Sequence, residues 1–369
     1  MTNDCEPGDT GPVFDAVIVG GGPAGLSAAI WLGRYLHRVA VVDSGDPRNW
    51  ETRGINGYLG LPGVRPADLR GAGREEAKRY DVTLVDGFVS RAVKEGDERF
   101  VLEYDPMETT KAEEDRAGPG APRRPDDNAP RPCTRRLVGR RLLLAIGLKD
   151  VWPKVPGLER IYGDKAHVCP DCDGFETRDR KTVVLGCGRK AVGMALNLTT
   201  WTRDVVVCTN GHDPELDEYL VGKLGALDIP VVTTPIERIH FREGDLRSLH
   251  FADGETLGCE KIFFAIGQYP ADDLGAQLGC ERDEDGHIVV DGARHTSVHN
   301  VFAAGDIVPG PQLGIAAAAD GAIAALAIHK SLVPDERKLQ KPESPAEAEL
   351  RPARPLAAAD AAARWDGRR

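Results

Sequence analysis

Short runs of almost wholly apolar residues recur along this chain, each leading into glycine and then into an apolar stripe at helical spacing. Phe14 to Val19 is such a run, and its length and β-branching predict a parallel strand buried on both faces. A Gly-rich turn follows, then an apolar-periodic helix from about Pro23 to Leu36, and Val39 to Val42 reads as the next strand. The same order returns later: strand Thr182 to Leu185, turn Gly186 to Gly188, helix Ala191 to Thr200, strand Val205 to Cys208. Two such units in one chain predict an α/β fold with two doubly wound domains.

Two further apolar strands, Leu142 to Ile146 and Ile262 to Ile266, both run into the tripeptide Ala-Ile-Gly. Read as crossings, they make the second domain an insertion within the first. The expected boundaries are 14–149 plus 268–333 for the discontinuous domain and 150–267 for the inserted one. Asp105 to Arg136 is rich in Pro, Gly and charge, and predicts a mobile loop between strands. The stretch 334–369 is Pro, Ala and charge, and reads as a flexible tail with a helical tendency around Ala357 to Arg364.

Composition narrows the classes. A net charge of −11 over 369 residues argues against nucleic-acid binding by a general basic surface. Met1 to Gly11 is polar and acidic, unlike a secretory leader. The longest apolar candidate for a membrane span, Leu313 to Ile328, is interrupted by Asp320. A cytoplasmic protein is expected. Of eight cysteines, Cys5, Cys133, Cys187, Cys208, Cys259 and Cys280 are scattered singly, as small buried hydrophobes usually are.

The chemistry lies in three clusters. Gly20-x-Gly22-x-x-Gly25, with Pro23 and Ala24 inside it, directly follows a strand and opens a helix. Such a turn lets backbone approach a pyrophosphate, and Asp43 at the end of the second strand is spaced to bond a ribose hydroxyl. A late strand runs into Gly305-Asp306, a carboxylate able to reach the ribityl and phosphate region of FAD, with a helix starting near Gln312. The second cluster, Gly186-x-Gly188-x-x-Ala191, keeps the spacing for another dinucleotide, NADPH or NADH. Its following strand, however, ends in Thr209-Asn210-Gly211, with neither an acid for a ribose nor arginines for a phosphate. A cofactor site and a vestigial domain both remain open there.

Cys169-Pro170-Asp171-Cys172-Asp173 is the third cluster. Two thiols at this spacing close a small disulfide and give one of them a lowered pKa. Asp173 is placed to supply the proton a leaving thiolate needs. Zinc is the competing reading, but a tetrahedral site needs about four ligands and no second close pair exists. No metal is expected. His167 reads as a structural or proton-relay residue.

Taken in order, the N-terminal dinucleotide motif, Cys-x-x-Cys-Asp, the second Gly-x-Gly-x-x-Ala and Val301-Phe-Ala-Ala-Gly-Asp306 resemble the thioredoxin reductase family over Phe14 to Leu332. The resemblance implies a homodimer and an inserted domain that rotates to present the dithiol alternately to flavin and substrate. It also implies that Cys172 meets the flavin, that Cys169 attacks the external disulfide and that Asp173 is the acid. Gln312 matches a polar residue near the flavin, although Pro311 stands where the family has Arg. Val42 to Asn49 and Gly57 to Gly60 look more like a side branch that includes dithiol oxidases. The leading expectation is electron flow from NAD(P)H through FAD to Cys169–Cys172 and on to a thioredoxin-like protein or a small-molecule disulfide. The alternatives are an oxygen-linked oxidase of a small dithiol, a non-catalytic flavin redox sensor and a ferredoxin-fed reductase.

Overall fold

The computed structural model describes residues 12–49, 52–107, 134–242 and 245–339. The described residues up to Ser331 form one compact unit and those from Leu332 to Leu339 belong to a second. The first half of the chain builds β1 (Val13–Val19), α1 (Pro23–Arg34), β2 (Val39–Asp43), α2 (Pro66–Lys78), β3 (Thr83–Lys94), β4 (Phe100–Pro106), β5 (Arg135–Leu144) and β6 (Leu148–Asp150). Then come β7 (Ala166–His167), α3 (Pro170–Asp173), β8 (Thr182–Gly186), α4 (Gly188–Leu198), β9 (Val205–Cys208), α5 (Glu218–Gly225) and β10 (Val231–Val232). The chain continues with β11 (Ile236–Arg242), β12 (Asp245–Phe251), β13 (Thr256–Gly258), β14 (Lys261–Ala265), β15 (Gln268–Pro270), α6 (Leu274–Gln277), β16 (Val301–Ala303) and α7 (Gly314–Leu332).

Two parallel sheets organise these elements, as the repeated apolar runs imply. In the first, β16, β5, β1, β2 and the start of β3 run parallel. The rest of β3 turns away to pair antiparallel with β4, and β4 with the start of β5. Gly139 stands at that bend, opposite Phe14 on one side and Phe100 on the other. A Cβ there would lie 2.8 Å from Val17 Cγ2, so the position has no room for a side chain. In the second sheet β10, β9, β8, β14 and β7 are parallel. Its apolar runs are explained by burial on both faces: Val183 and Leu185 join one core, Val184 the other.

The stretches after the two Ala-Ile-Gly tripeptides, β6 and β15, lie side by side and antiparallel, Gln268 opposite Asp150. The expected loop from Asp105 to Arg136 is corrected at both ends. Asp105 and Pro106 finish β4, and Arg135 and Arg136 begin β5 opposite Tyr104 and Glu103, because ladder bonds and Glu103–Arg136 pairing hold these polar residues in strands. Residues 108–133 lie outside the described residues, as do 340–369 with the helical tendency expected around Ala357. Helix α7 is also longer than the interrupted run implied, and by length and composition alone it is apolar enough to cross a membrane. Within the fold Asp320 pairs with Arg294 at 2.6 Å. A Cβ on Gly321 would fall 1.9 Å from the Ala24 carbonyl oxygen, so this helix packs directly on α1.

Candidate active site

The first glycine cluster forms a turn in which each glycine has its own reason. Gly20 has φ of +104°, and a Cβ on it would come 2.2 Å from the Ala145 carbonyl oxygen, where β5 ends beside β1. A Cβ on Gly25 would meet the Gly20 oxygen at 1.8 Å, so α1 sits directly against the turn. At Gly22 nothing lies within 4 Å. This open face at the start of α1 is where backbone amides and the positive end of a helix receive a pyrophosphate.

That turn opens into a cavity of about 610 Å³. Gly20, Gly22, Pro23, Ala24, Asp43, Gly305, Asp306 and Gln312 all line it, and so do Cys169, Cys172 and Asp173. Gly25 stands behind the turn. The structure thus brings the expected flavin residues and the dithiol into one space, although they come from opposite ends of the chain.

Charges missed by sequence reading shape this space. Arg48 donates to Asp150 at 2.8 and 2.7 Å, to Asp306 at 3.1 Å and to Gln312 at 2.6 Å. Burial holds the Asp306 carboxyl above its ordinary range against the pull of Arg48. Asp43 is paired with Arg70, and Arg74 stands 3.8 Å away. No local pattern marks these pairings, since Arg48 and Asp306 are 258 residues apart. An open glycine turn, the carboxylates of Asp43 and Asp306 in the cavity wall and the half-buried guanidinium groups of Arg48 and Arg70 paired with them fit the phosphates and hydroxyls of FAD.

The dithiol sits on the turn that β7 feeds into α3. Cys169 and Cys172 are joined as a disulfide with Cα atoms 5.3 Å apart. Cys169 is the N-cap of α3, and its Sγ accepts a hydrogen bond from the Cys172 amide at 3.1 Å. The same bond favours a thiolate at Cys169 once the disulfide opens. Asp173 is held from two sides: Asn56 donates to Oδ1 at 3.5 Å, and His167 Nδ1 lies 3.3 Å from Oδ2. By contrast, burial pushes the Cys208 and Cys259 thiols up to about 12, which keeps them out of thiol chemistry.

The second glycine cluster is arranged differently. Gly186, Gly188 and Ala191 are apart from the large cavity, and the turn is covered by the chain itself. The Gly188 amide donates to the Pro214 carbonyl at 2.9 Å, and a Cβ on Gly188 would lie 3.1 Å from Glu215 Oε2. This is the place that stands open at Gly22. Residues 209–217 are built to hold that loop: Thr209 bonds the His212 carbonyl, Asn210 the Ile236 amide and Asp213 the Glu215 amide. Glu215 itself is in the left-handed region at φ +53°. A carboxylate on the phosphate cradle does not fit a bound nicotinamide dinucleotide in this arrangement.

Comparison with known proteins identifies the family. Residues 14–321 match the model of the pyridine nucleotide-disulphide oxidoreductase family. A probable thioredoxin reductase of Arthroderma benhamiae is 29% identical, the match covering 86% of this chain and 80% of that protein. The thioredoxin reductase of Mycolicibacterium smegmatis is 28% identical, with 80% and 89% covered. Among solved structures, HlmI superposes with a TM-score of 0.76 at 31% identity, covering 88% of this chain and 94% of that one. The putative thioredoxin reductase TrxB of Bacillus anthracis gives 0.74 at 27% identity, covering 88% and 100%. The chain belongs to the pyridine nucleotide-disulphide oxidoreductase family, which uses FAD and NAD(P)H, and is a thioredoxin reductase-like, FAD-dependent disulfide oxidoreductase.

Proposed function

We propose that this protein reduces a disulfide of a thioredoxin-like protein or a small molecule through Cys169 and Cys172. The observation that carries the proposal is the placement of this disulfide in the wall of the cavity that begins at the Gly20–Gly25 turn. FAD held in this cavity would supply electrons in pairs, the two that the Cys169–Cys172 disulfide needs to become a dithiol. Cys169, whose sulfur accepts the Cys172 amide, attacks the external disulfide as a thiolate, and one external thiolate departs. Cys172 then attacks Cys169 Sγ, the second external thiol leaves, and the internal disulfide closes. Asp173 gives its proton to the departing thiolate and recovers one from solvent.

The inserted-domain boundaries, 150–267 within 14–149 and 268–333, a homodimer and a cytoplasmic setting complete the proposal. So does the assignment of Gly20, Gly22, Asp43, Asp306 and Gln312 to FAD. The electron source is its open end, because Glu215 stands on the second cradle. That observation favours one other reading, in which a small dithiol reduces the enzyme and oxygen takes the electrons. An anaerobic titration of FAD-loaded protein with NADPH, NADH and dithiothreitol, followed by flavin absorbance, separates the two. Bleaching by a nicotinamide nucleotide supports the reductase. Bleaching by dithiothreitol alone, reversed by air, replaces it with the oxidase.

A further inference from the structure

The turn that carries the disulfide is gripped by a distant part of the chain. Residues 53–56, between β2 and α2, reach it at two points. At its base Arg53 Nη2 pairs with Asp164 Oδ2 at 2.8 Å, and the Arg53 amide donates to the Gly163 carbonyl at 3.4 Å. At its tip Asn56 Nδ2 donates to the Cys172 carbonyl at 3.1 Å, and Asp173 Oδ1 lies 3.5 Å from the same nitrogen. A carbonyl oxygen only accepts, so the amide nitrogen of Asn56 must face it. Asn56 also follows a fixed support: the Ile55 amide donates to the Val64 carbonyl at 2.8 Å, and the Gly63 amide to the Ile55 carbonyl at 3.1 Å.

Shared apolar packing is not what joins these two parts. The core around Phe100 and Leu142 draws no residue from 150–267, and the cores around Leu185 and Val184 draw none from outside that range. Arg48 holds Asp150 where the chain crosses over. A further ion pair, Lys190 with Asp285 at 3.6 Å, is exposed on both sides and adds little. Placement of the dithiol turn therefore leans on the polar contacts of Arg53 and Asn56.

We infer that Asn56, with the Arg53–Asp164 pair behind it, is a positioning residue that clasps the Cys172 backbone and presents the Cys172 sulfur to the flavin, so that it governs the rate of electron transfer between them. This rests on the reading of Cys172 as the thiol that meets the flavin. Asn56 lines the large cavity together with Cys172, whereas Arg53 and Asp164 are not among the residues of its wall. The ion pair can therefore reach the flavin only by way of the turn. The clasp is also weak, since Arg53 is 75% exposed and its partner contact is screened, while Asn56 offers one neutral hydrogen bond. Its loss should displace the turn without unfolding the protein.

The test separates the two halves of turnover in FAD-loaded protein. In the first, saturating dithiothreitol without oxygen opens the disulfide and leaves as its own cyclic disulfide; the two electrons then bleach the flavin as Cys169–Cys172 closes again. In the second, protein reduced in this way and freed of dithiothreitol releases an aromatic thiolate from a chromogenic disulfide. Asn56→Ala should lower the limiting bleaching rate about 3–10-fold, the scale of one hydrogen bond, and lower it more than the release rate. Asn56→Asp keeps the size but replaces the donor with a carboxylate facing Asp173, and should be slower again by about fivefold. Arg53→Ala should slow bleaching about 2–5-fold, and Arg53→Lys should restore it. FAD content shows that each variant is loaded; if the Asn56 variants lose FAD, the two Arg53 variants decide. Wild-type bleaching in Asn56→Asp and Arg53→Ala, or an equal fall in both halves, overturns this inference alone, provided that Cys172→Ser blocks bleaching. Bleaching of Cys172→Ser at the wild-type rate overturns the reading of Cys172 and this inference with it.

Discussion

Glu215→Gln measures how strongly the second nucleotide cradle is closed. In the structure the carboxylate stands 3.1 Å from a Cβ placed on Gly188, on the side of such a turn that would receive a pyrophosphate. Two unit charges at about 4 Å repel by ~1 kcal/mol in bulk water and ~4 kcal/mol at an effective dielectric of 20. Glu215 is exposed, so the lower part of that range applies, roughly 1–2 kcal/mol. At 1.4 kcal/mol per decade, neutralising it should tighten NADPH binding about tenfold. The Gly188 amide must also leave the Pro214 carbonyl, but a phosphate oxygen replaces that bond at little net cost. The assay is anaerobic NADPH titration of the FAD-loaded wild type and variant at low and high salt, with FAD content as the control. The gain should shrink at high salt, because exposed charges are screened. Equal affinities at low salt would remove Glu215 from nucleotide selection.

Other outcomes follow from the same geometry. Gly22→Ala should fold normally, since Gly22 has φ of −77° and no neighbour within 4 Å; it should bind FAD about 10–100-fold more weakly, because the methyl group fills the cradle. An apo variant titrated with FAD by flavin fluorescence checks this, and unchanged affinity would mean that the pyrophosphate does not lie there. Asp272 tests a stability claim. Burial, helped by the charge of Asp273, raises its carboxyl from 3.8 to about 6, so the fold prefers it protonated; that contribution is complete below about pH 4 and is lost as pH rises through 6. Asp272→Asn keeps an acceptor for the Leu274 amide and should stabilise the protein by roughly 1–3 kcal/mol at pH 7.5 but not at pH 4, measured by urea unfolding. An equal gain at both pH values would contradict the burial argument.

Sequence reading reached the features that repeat a local pattern. The parallel strands are apolar on both faces, and the glycine turns and Cys169–Cys172 are short-range spacings, so all three are visible without a fold. It missed α2, since Pro66 and Ala77 are its only buried residues and no apolar stripe marks it. It passed over β3 and β4, where the interior of β3 is broken by Asp86, Gly87 and Ser90 and the strand switches partners. The site's finer parts were hidden for a different reason. Arg48 and Asn56 meet partners 258 and 117 residues away, a separation that no spacing reveals. Thr209-Asn210-Gly211 was noticed as a missing set of charges; the structure shows the same residues as the framework of the loop that covers Gly188.

The central claim is that electrons pass between FAD and external thiols by way of Cys169 and Cys172. Its most direct test is anaerobic mixing of dithiothreitol with FAD-loaded wild type, Cys169→Ser and Cys172→Ser, following flavin absorbance. Rapid bleaching of the wild type is predicted, with each variant retaining its FAD but losing at least about 10³-fold in rate, the scale of losing an activated nucleophile. Either variant bleaching at the wild-type rate would contradict the dithiol path.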